Sequence, residues 1–278
     1  MISPNISTKV NYFISKGKLP NLENPKTIEE KLSWLKLNDY SKNPLVRQCA
    51  DKLAVREYII EAGYECTLNE LLSIYDKLDD VEWGELPNQF ALKWTVGARG
   101  NYICHDKNKI NLEEIHKQLG DWKRQWDKEK PYLVTGEMQY AFAEPRIILE
   151  KYLGSDKTLC DYKIYCFNGV PKAILVLADR SSNTKGIFMS PEWTFISNVS
   201  KYTAFSETPE KPNTLEKMVK AASELSKPFP FVRVDFYDGS VDPIFGEMTF
   251  TPAGGISLAT TQIDGVPMGE LLELNIDN

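Results

Sequence analysis

Histidine is nearly missing from this sequence: two among 278 residues, His105 and His116. His105 lies in the polar stretch ICHDKNK and His116 on a charged helical run, so both read as surface residues. Chemistry that rests on a histidine base or on histidine zinc ligands is therefore disfavoured. There is no Gly-x4-Gly-Lys-Ser/Thr phosphate loop, no Gly-x-Gly-x-x-Gly fingerprint, no Gly-x-Ser-x-Gly elbow and no His-Glu-x-x-His. A run of about 18 apolar residues is also lacking, which excludes a bilayer-spanning helix. The stretch up to Lys26, polar and broken by Pro4, Pro20 and Pro25, lacks the apolar segment of a signal peptide, so a cytoplasmic location is expected. Positive charge is short too. Lys and Arg number 33 against 39 Asp and Glu, a net charge of −6 and a pI of about 5.2, which argues against nucleic acid as a partner. Five cysteines, an odd number with no CxxC spacing, read as buried free thiols. Cys160 and Cys166 share one face of a strand-like run but stand about 20 Å apart, too far to share a metal.

What is present is a soluble, core-forming composition, with 42% apolar and 26% charged residues. A loose arm comes first. Thr27 then caps a helix with Glu30 three residues on, and Ile28, Leu32 and Leu35 recur at helical spacing. A second helix is expected from Gln48 to Ala62, stopped by Gly63, and NELLSIYDKLDDV reads as a third. From Leu86 the texture changes to a short strand, FALKWTV, a loop with two glycines, and a one-sided helix, NLEEIHKQLGDWKRQW. The strands PRIILEKYL, CDYKIYCFN, PKAILVLAD, TFISN and FVRVDFY follow, with the helix NTLEKMVKAASELS between the last two; IFGEMTFTPAGG ends in a glycine turn. Several strands succeed one another without a helix, so the class is α+β with antiparallel hairpins.

The strongest local signal is FVRVDFYDGSVDPIFGEMTFTP. Arg233 and Asp235 point one way on a strand, Glu247 and Thr249 point together on the next, and the turn YDGSVDP brings Asp235 beside them. Carboxylates that converge in this way repel unless a cation lies between them, and hard oxygen donors suit Mg²⁺ on phosphates. The alternative is an ordinary exposed hairpin.

These residues resemble the metal-binding end of the ATP-grasp superfamily. Lys52 in ADKLAVREYI and Lys93 in FALKWTVGARGN resemble its two phosphate-contacting lysines, and the loop with Gly97, Arg99 and Gly100 resembles its flexible glycine loop. Glu150, Lys151, Tyr152 and Leu153, in ILEKYLG, resemble the hinge that holds adenine. More narrowly, NPLVRQCADKLAVREYI, EKYL, DYKIYCFNG, ADR, RVDFY and FGEMTFTPAGG, in that order from about Pro25 to Gly255, resemble the TupA-like branch, associated with teichuronopeptide and capsular polysaccharide genes.

The resemblance implies an ATP-grasp fold in which two sheet-containing lobes clamp ATP: an arm and helical region over 1–85, a small lobe with the glycine loop over 86–150, and a large lobe with the metal site over 151–278. It implies two Mg²⁺ ions on Asp235, Glu247 and Thr249, although the superfamily's usual third ligand is Asn. Arg233 would grip an intermediate's negative charge. Lys163 and Arg180 would contact transferred phosphate, the alternative being salt bridges to Asp161 and Asp179. Asp156 would hold ribose, and Arg99 would either reach the phosphates or point to solvent. Tyr140, Phe142, Trp193 and Tyr202 either line an acceptor site or pack in the core. The implied reaction is carboxylate–amine ligation through an acyl phosphate, joining an amino acid or small amine to a uronic-acid carboxylate on a sugar or glycan precursor. A kinase acting on a sugar hydroxyl and a nucleotide-binding protein without turnover are the alternatives.

Overall fold

The computed structural model describes residues 3–98, 100–154, 159–179 and 183–276. The helices are α1 (Pro4–Lys16), α2 (Ile28–Asn38), α3 (Pro44–Ala50), α4 (Val55–Glu61), α5 (Leu112–Glu129), α6 (Pro131–Thr135), α7 (Leu215–Ser226) and α8 (Met268–Leu271). The strands are β1 (Leu71–Tyr75), β2 (Phe90–Trp94), β3 (Asn101–Cys104), β4 (Ile147–Lys151), β5 (Asp161–Phe167), β6 (Val170–Ala178), β7 (Lys185–Met189), β8 (Phe195–Asn198), β9 (Phe231–Tyr237), β10 (Ile244–Thr249), β11 (Gln262–Ile263) and β12 (Val266–Pro267). They form a four-stranded sheet in the order β1-β4-β2-β3, a six-stranded sheet in the order β10-β9-β5-β6-β7-β8, and the small pair β11-β12, with all pairings antiparallel.

In the small sheet the two-residue alternation of a strand separates two environments. Phe90, Leu92 and Trp94 of β2 and Ile147 and Leu149 of β4 are buried against Ile115 and Leu119 of α5. The alternate residues, Ala91, Lys93, Ile148 and Glu150, are left to face a cavity. The large sheet is backed by α7, whose Met218, Ala222 and Leu225 are fully buried; the Cys166 thiol reaches the Ala222 carbonyl. The β5–β6 turn is Asn168-Gly169, both with positive φ (48° and 79°), the two-residue hairpin geometry that matches strand twist.

Several expectations are corrected. The N-terminal arm is a helix: Pro4 opens α1 at its first turn and Gly17, at φ 71°, ends it. The helix expected over Gln48–Ala62 is broken. Asp51 turns its carboxylate back onto the N–H groups of Leu53 and Ala54 (2.8 and 3.0 Å), ending α3 and starting α4. The expected helix NELLSIYDKLDDV is β1 followed by a single 3-10 turn; β4 recruits it as an edge strand, and tertiary pairing overrides its helical periodicity. The small sheet therefore draws on residues before 86. Of the cysteines, Cys49, Cys104 and Cys166 are buried, but Cys66 is exposed and Cys160 half-buried; all are free. The capping box at α2 is present as expected, with Glu30 N–H on Thr27 Oγ1 and Thr27 N–H on the Glu30 carboxylate.

Candidate active site

A cavity of about 410 Å³ opens between the two larger sheets. From the small sheet come Ala91, Lys93, Asn101, Ile103, Ile148 and Glu150; from the break between α3 and α4 comes Lys52; from the large sheet come Asp161, Lys163, Asp235 and Glu247. Lys151, Tyr152 and Leu153, in the passage from β4 to β5, close one side. Ten of the residues singled out from the sequence thus share one cavity: Lys52, Lys93, Gly97, Glu150, Lys151, Tyr152, Leu153, Lys163, Asp235 and Glu247. Arg99, Asp156 and Arg180 lie outside the described residues.

At the large-sheet end the register sets the geometry. Lys163 of β5 is paired with Asp235 of β9, and Asp235 in turn with Glu247 of β10. The register slips between Phe245 and Glu247, so Gly246 is the extra residue of a bulge. A Cβ on Gly246 would stand 3.1 Å from the Asp235 carbonyl oxygen. The bulge lets Phe245 meet Phe236 edge-on while Glu247 still stands opposite Asp235. Arg233 binds both Asp235 oxygens (Nε and Nη2, each 2.7 Å), and its Nη2 also reaches Thr249 Oγ1 at 3.0 Å and Glu247 Oε1 at 3.3 Å. Lys163 Nζ is 2.6 Å from Asp235 and 3.4 Å from Asp161, so the ion pair to Asp161 given as the alternative to a phosphate contact forms, together with a shorter one to Asp235.

These charges set one another. Burial works against ionisation of Glu247, yet Lys52, Lys163 and Arg233 pull its carboxyl down to about 2. Burial likewise opposes the Arg233 charge, but Asp235 raises its pKa above the ordinary value. Burial lowers the pKa of Lys52, with Glu247 acting in the opposite direction. Thr249 Oγ1 donates to Glu247 at 3.1 Å while accepting from Arg233, which orients the carboxylate. Among the described residues no group of three or more His, Cys, Asp or Glu is arranged to hold a metal; the oxygen donors here are two carboxylates and one hydroxyl.

At the small-sheet end the Glu150 carboxylate is engaged by Lys93 at 2.7 Å and by Arg56 at 3.6 Å, ion pairs that the sequence pattern did not announce. Arg56, which lines the cavity, was missed by sequence reasoning; its four-residue spacing from Lys52 was the available signal. The glycine loop is anchored more firmly than its sequence suggests. Lys52 donates from its backbone to Thr95 O (2.7 Å) and from Nζ to Gly97 O (2.9 Å), and Trp122 Nε1 donates to Ala98 O (2.9 Å). Trp94, Trp122 and Trp126 stack beneath it, with centroids 5.3 and 5.2 Å apart. Gly97 has φ 70°, and a Cβ there would lie 3.0 Å from Trp126; a Cβ on Gly100 would lie 3.0 Å from Trp94 and Trp122.

Of the four aromatics, Tyr140 is the one whose hydroxyl senses Glu247 and Arg233; burial raises its pKa. Phe142 is exposed against Arg47, Trp193 donates to Pro209 O, and Tyr202 packs on Gly186. Beyond β10, Ala253, Gly254 and Gly255 all take positive φ, and buried Lys36 donates to Gly254 O and Thr135 O. That pins the turn to α2 and α6; burial holds the Lys36 pKa down to about 8.

Among the described residues no helix is long and apolar enough to cross a membrane. A comparison with curated proteins yields no match. Among solved structures, D-alanine–D-alanine ligase from Bacillus anthracis complexed with ATP matches at 17% identity and a TM-score of 0.43, over 73% of this chain and 55% of its own. L-amino acid ligase from Bacillus licheniformis matches at 13% and 0.46, over 91% and 56%. Carboxyaminoimidazole ribonucleotide synthase from Aspergillus clavatus complexed with ATP matches at 11% and 0.42, over 74% and 45%. The chain thus spans about half the length of each. The family model for TupA-like ATP-grasp proteins matches residues 30–272, from the capping box of α2 to the end of α8, and this chain belongs to that family.

Proposed function

We propose that the chain is an ATP-dependent carboxylate–amine ligase that forms an amide through an acyl phosphate. The observation that carries this reading is the convergence, in one cavity, of the Lys52–Lys93–glycine-loop wall with Asp235 and Glu247, which Arg233 and Thr249 hold by hydrogen bonds from outside the lining. Five cations (Lys52, Arg56, Lys93, Lys151, Lys163) and four carboxylates (Glu150, Asp161, Asp235, Glu247) line the cavity, so it is nearly neutral as it stands. An entering triphosphate needs further positive charge. Asp235 and Glu247 fit that need: they are hard oxygen donors, and Glu247 stays ionised down to about pH 2. Mg²⁺ held there would neutralise developing phosphate charge. Thr249, bonded to both Glu247 and Arg233, orients the carboxylate, leaving the metal role to the two acids.

In this scheme Lys52 and Lys93 grip the phosphates, while Ala91, Ile103, Ile148 and Leu153 give the base an apolar bed beside the Lys151–Leu153 backbone. A substrate carboxylate oxygen attacks the γ-phosphorus and ADP leaves. An amine then attacks the acyl carbon, phosphate leaves, and the amine gives up a proton. Arg233, bonded to Glu247 at the cavity wall, is assigned the negative charge that gathers on the acyl oxygen, a role that requires no histidine. Family association with surface polysaccharides supports a uronic-acid carboxylate as acceptor and an amino acid or small amine as donor. A matrix of uronic acids against amines, read by ADP release and product mass, tests this. Release that needs both partners and yields the amide mass supports the reading; phosphate retained on the acceptor refutes it in favour of a kinase, and ATP bound but never consumed refutes turnover.

A further inference from the structure

Helix α1 is packed inside out. It buries Ser7, Thr8 and Tyr12 and leaves Ile6, Val10, Phe13 and Ile14 on the solvent side, each about half to three-quarters exposed, with Leu19 just beyond the helix 63% exposed. The four helix residues stand at positions i, i+4, i+7 and i+8, one continuous stripe. The inner face is held by polar contacts: Asn11 Nδ2 donates to Val134 O at 2.6 Å, and Lys16 meets Glu29 at 2.7 Å. Thr8 Oγ1 is buried there with no partner. A helix that spends polar groups on the protein and keeps its apolar stripe outward is oriented for something outside the chain.

Charge selects the occupant. The helix carries no acidic residue; its charges are Lys9 and Lys16, seven residues apart and so on one flank of the stripe. At its C-terminal end a groove of about 780 Å³ gathers Lys16, Lys18, Lys26 and Lys31 against Glu29, which Lys16 already pairs, and Glu270; Lys31 donates to Leu272 O, which leaves Lys18 and Lys26 as the groove's cations for an outside anion. The chain as a whole is at −6. Two copies joined through this stripe would set the lysine flanks near each other, whereas an anionic surface satisfies stripe and lysines together.

We infer that α1 is an interfacial helix by which the protein docks on a membrane surface rich in anionic lipid, its Ile6–Val10–Phe13–Ile14 stripe sunk among the headgroups and its lysines against the phosphates. About 20 Å of helix lies flat on the bilayer, and among the described residues no helix is long and apolar enough to cross it. The inference is independent of the ligase reading.

Flotation of the full chain with vesicles tests it. Binding to phosphatidylcholine vesicles containing about a third phosphatidylglycerol, weaker in high salt and on pure phosphatidylcholine, and about tenfold or more weaker for Phe13→Glu/Ile14→Glu, is the expected result. Both positions are exposed, so an unchanged circular dichroism spectrum and melting temperature show that the variant folds. Lys9→Ala/Lys18→Ala should lose affinity for the anionic vesicles alone. Absence of vesicle binding by the wild type overturns the proposal. So does a concentration-dependent dimer that Ile14→Glu dissolves, which would assign the face to a second copy.

Discussion

Replacing Arg233 by Met removes a group that bonds Asp235, Glu247 and Thr249 together. The guanidinium makes four bonds, two to Asp235 and one each to Glu247 and Thr249. Its side chain is 13% exposed and that of Asp235 4%, which is the regime of a buried pair. Removing one partner of such a pair costs about 3–5 kcal/mol because the other charge is left without compensation. Two features pull the figure to the low end: Lys163 remains 2.6 Å from Asp235, and Glu247 is 40% open to the cavity. A loss of about 3 kcal/mol corresponds to about 5 °C in melting temperature for a chain of this size. Thermal unfolding with and without magnesium measures it. The variant should melt lower, and millimolar Mg²⁺ should raise it more than it raises the wild type, since two carboxylates have lost their shared cation. A shift below about 2 °C, or a variant indifferent to magnesium, would refute the reasoning.

Other substitutions address single parts of the site. Lys93→Ala should weaken ATP binding by about 1.5–3 kcal/mol, the size of a charge-assisted bond, while frees Glu150 to pair with Arg56 alone; unchanged affinity in calorimetry would make Lys93 structural. Gly97→Ala should lower ATP affinity with little loss of fold, because its φ of 70° and the Trp126 ring 3.0 Å from the new Cβ force the loop to shift; tryptophan fluorescence and ATP titration report both. Glu247→Gln should abolish turnover in a folded protein, as read by ADP release. Its stability cost depends on pH. The folded pKa of about 2 lies below the ordinary 4.5, so the carboxylate's contribution is complete above pH 4.5 and vanishes as pH falls toward 2. Urea midpoints of wild type and Glu247→Gln should therefore converge across that window, and a constant gap would contradict the assigned environment.

The large-sheet end was legible in the sequence because two-residue alternation on β9 and β10 carries its own geometry: Arg233 with Asp235, Glu247 with Thr249. The bulge at Gly246 was not read, although an isolated glycine inside a strand pattern points to one, and its register slip is what sets Glu247 against Asp235. Local capping was readable at Thr27–Glu30, where donor and acceptor lie in one turn. At Asp51 the same kind of bond broke an expected helix, and it is the break that presents Lys52 to the cavity. The residues of β1 read as helix because pairing with β4, about 75 positions away, is invisible to local periodicity. The tryptophan stack beneath the glycine loop was hidden for the same reason: Trp94 lies on β2, while Trp122 and Trp126 lie on α5.

The acyl phosphate is the centre of the account, and the fate of one oxygen tests it. With substrate carboxylate labelled in both oxygens by ¹⁸O, attack on the γ-phosphorus and displacement by an amine must carry one labelled oxygen into the inorganic phosphate released. Mass spectrometry of that phosphate should show one ¹⁸O per turnover, and the amide product should retain the other. Unlabelled phosphate, or label found wholly in the product, would contradict carboxylate activation and with it the proposed function.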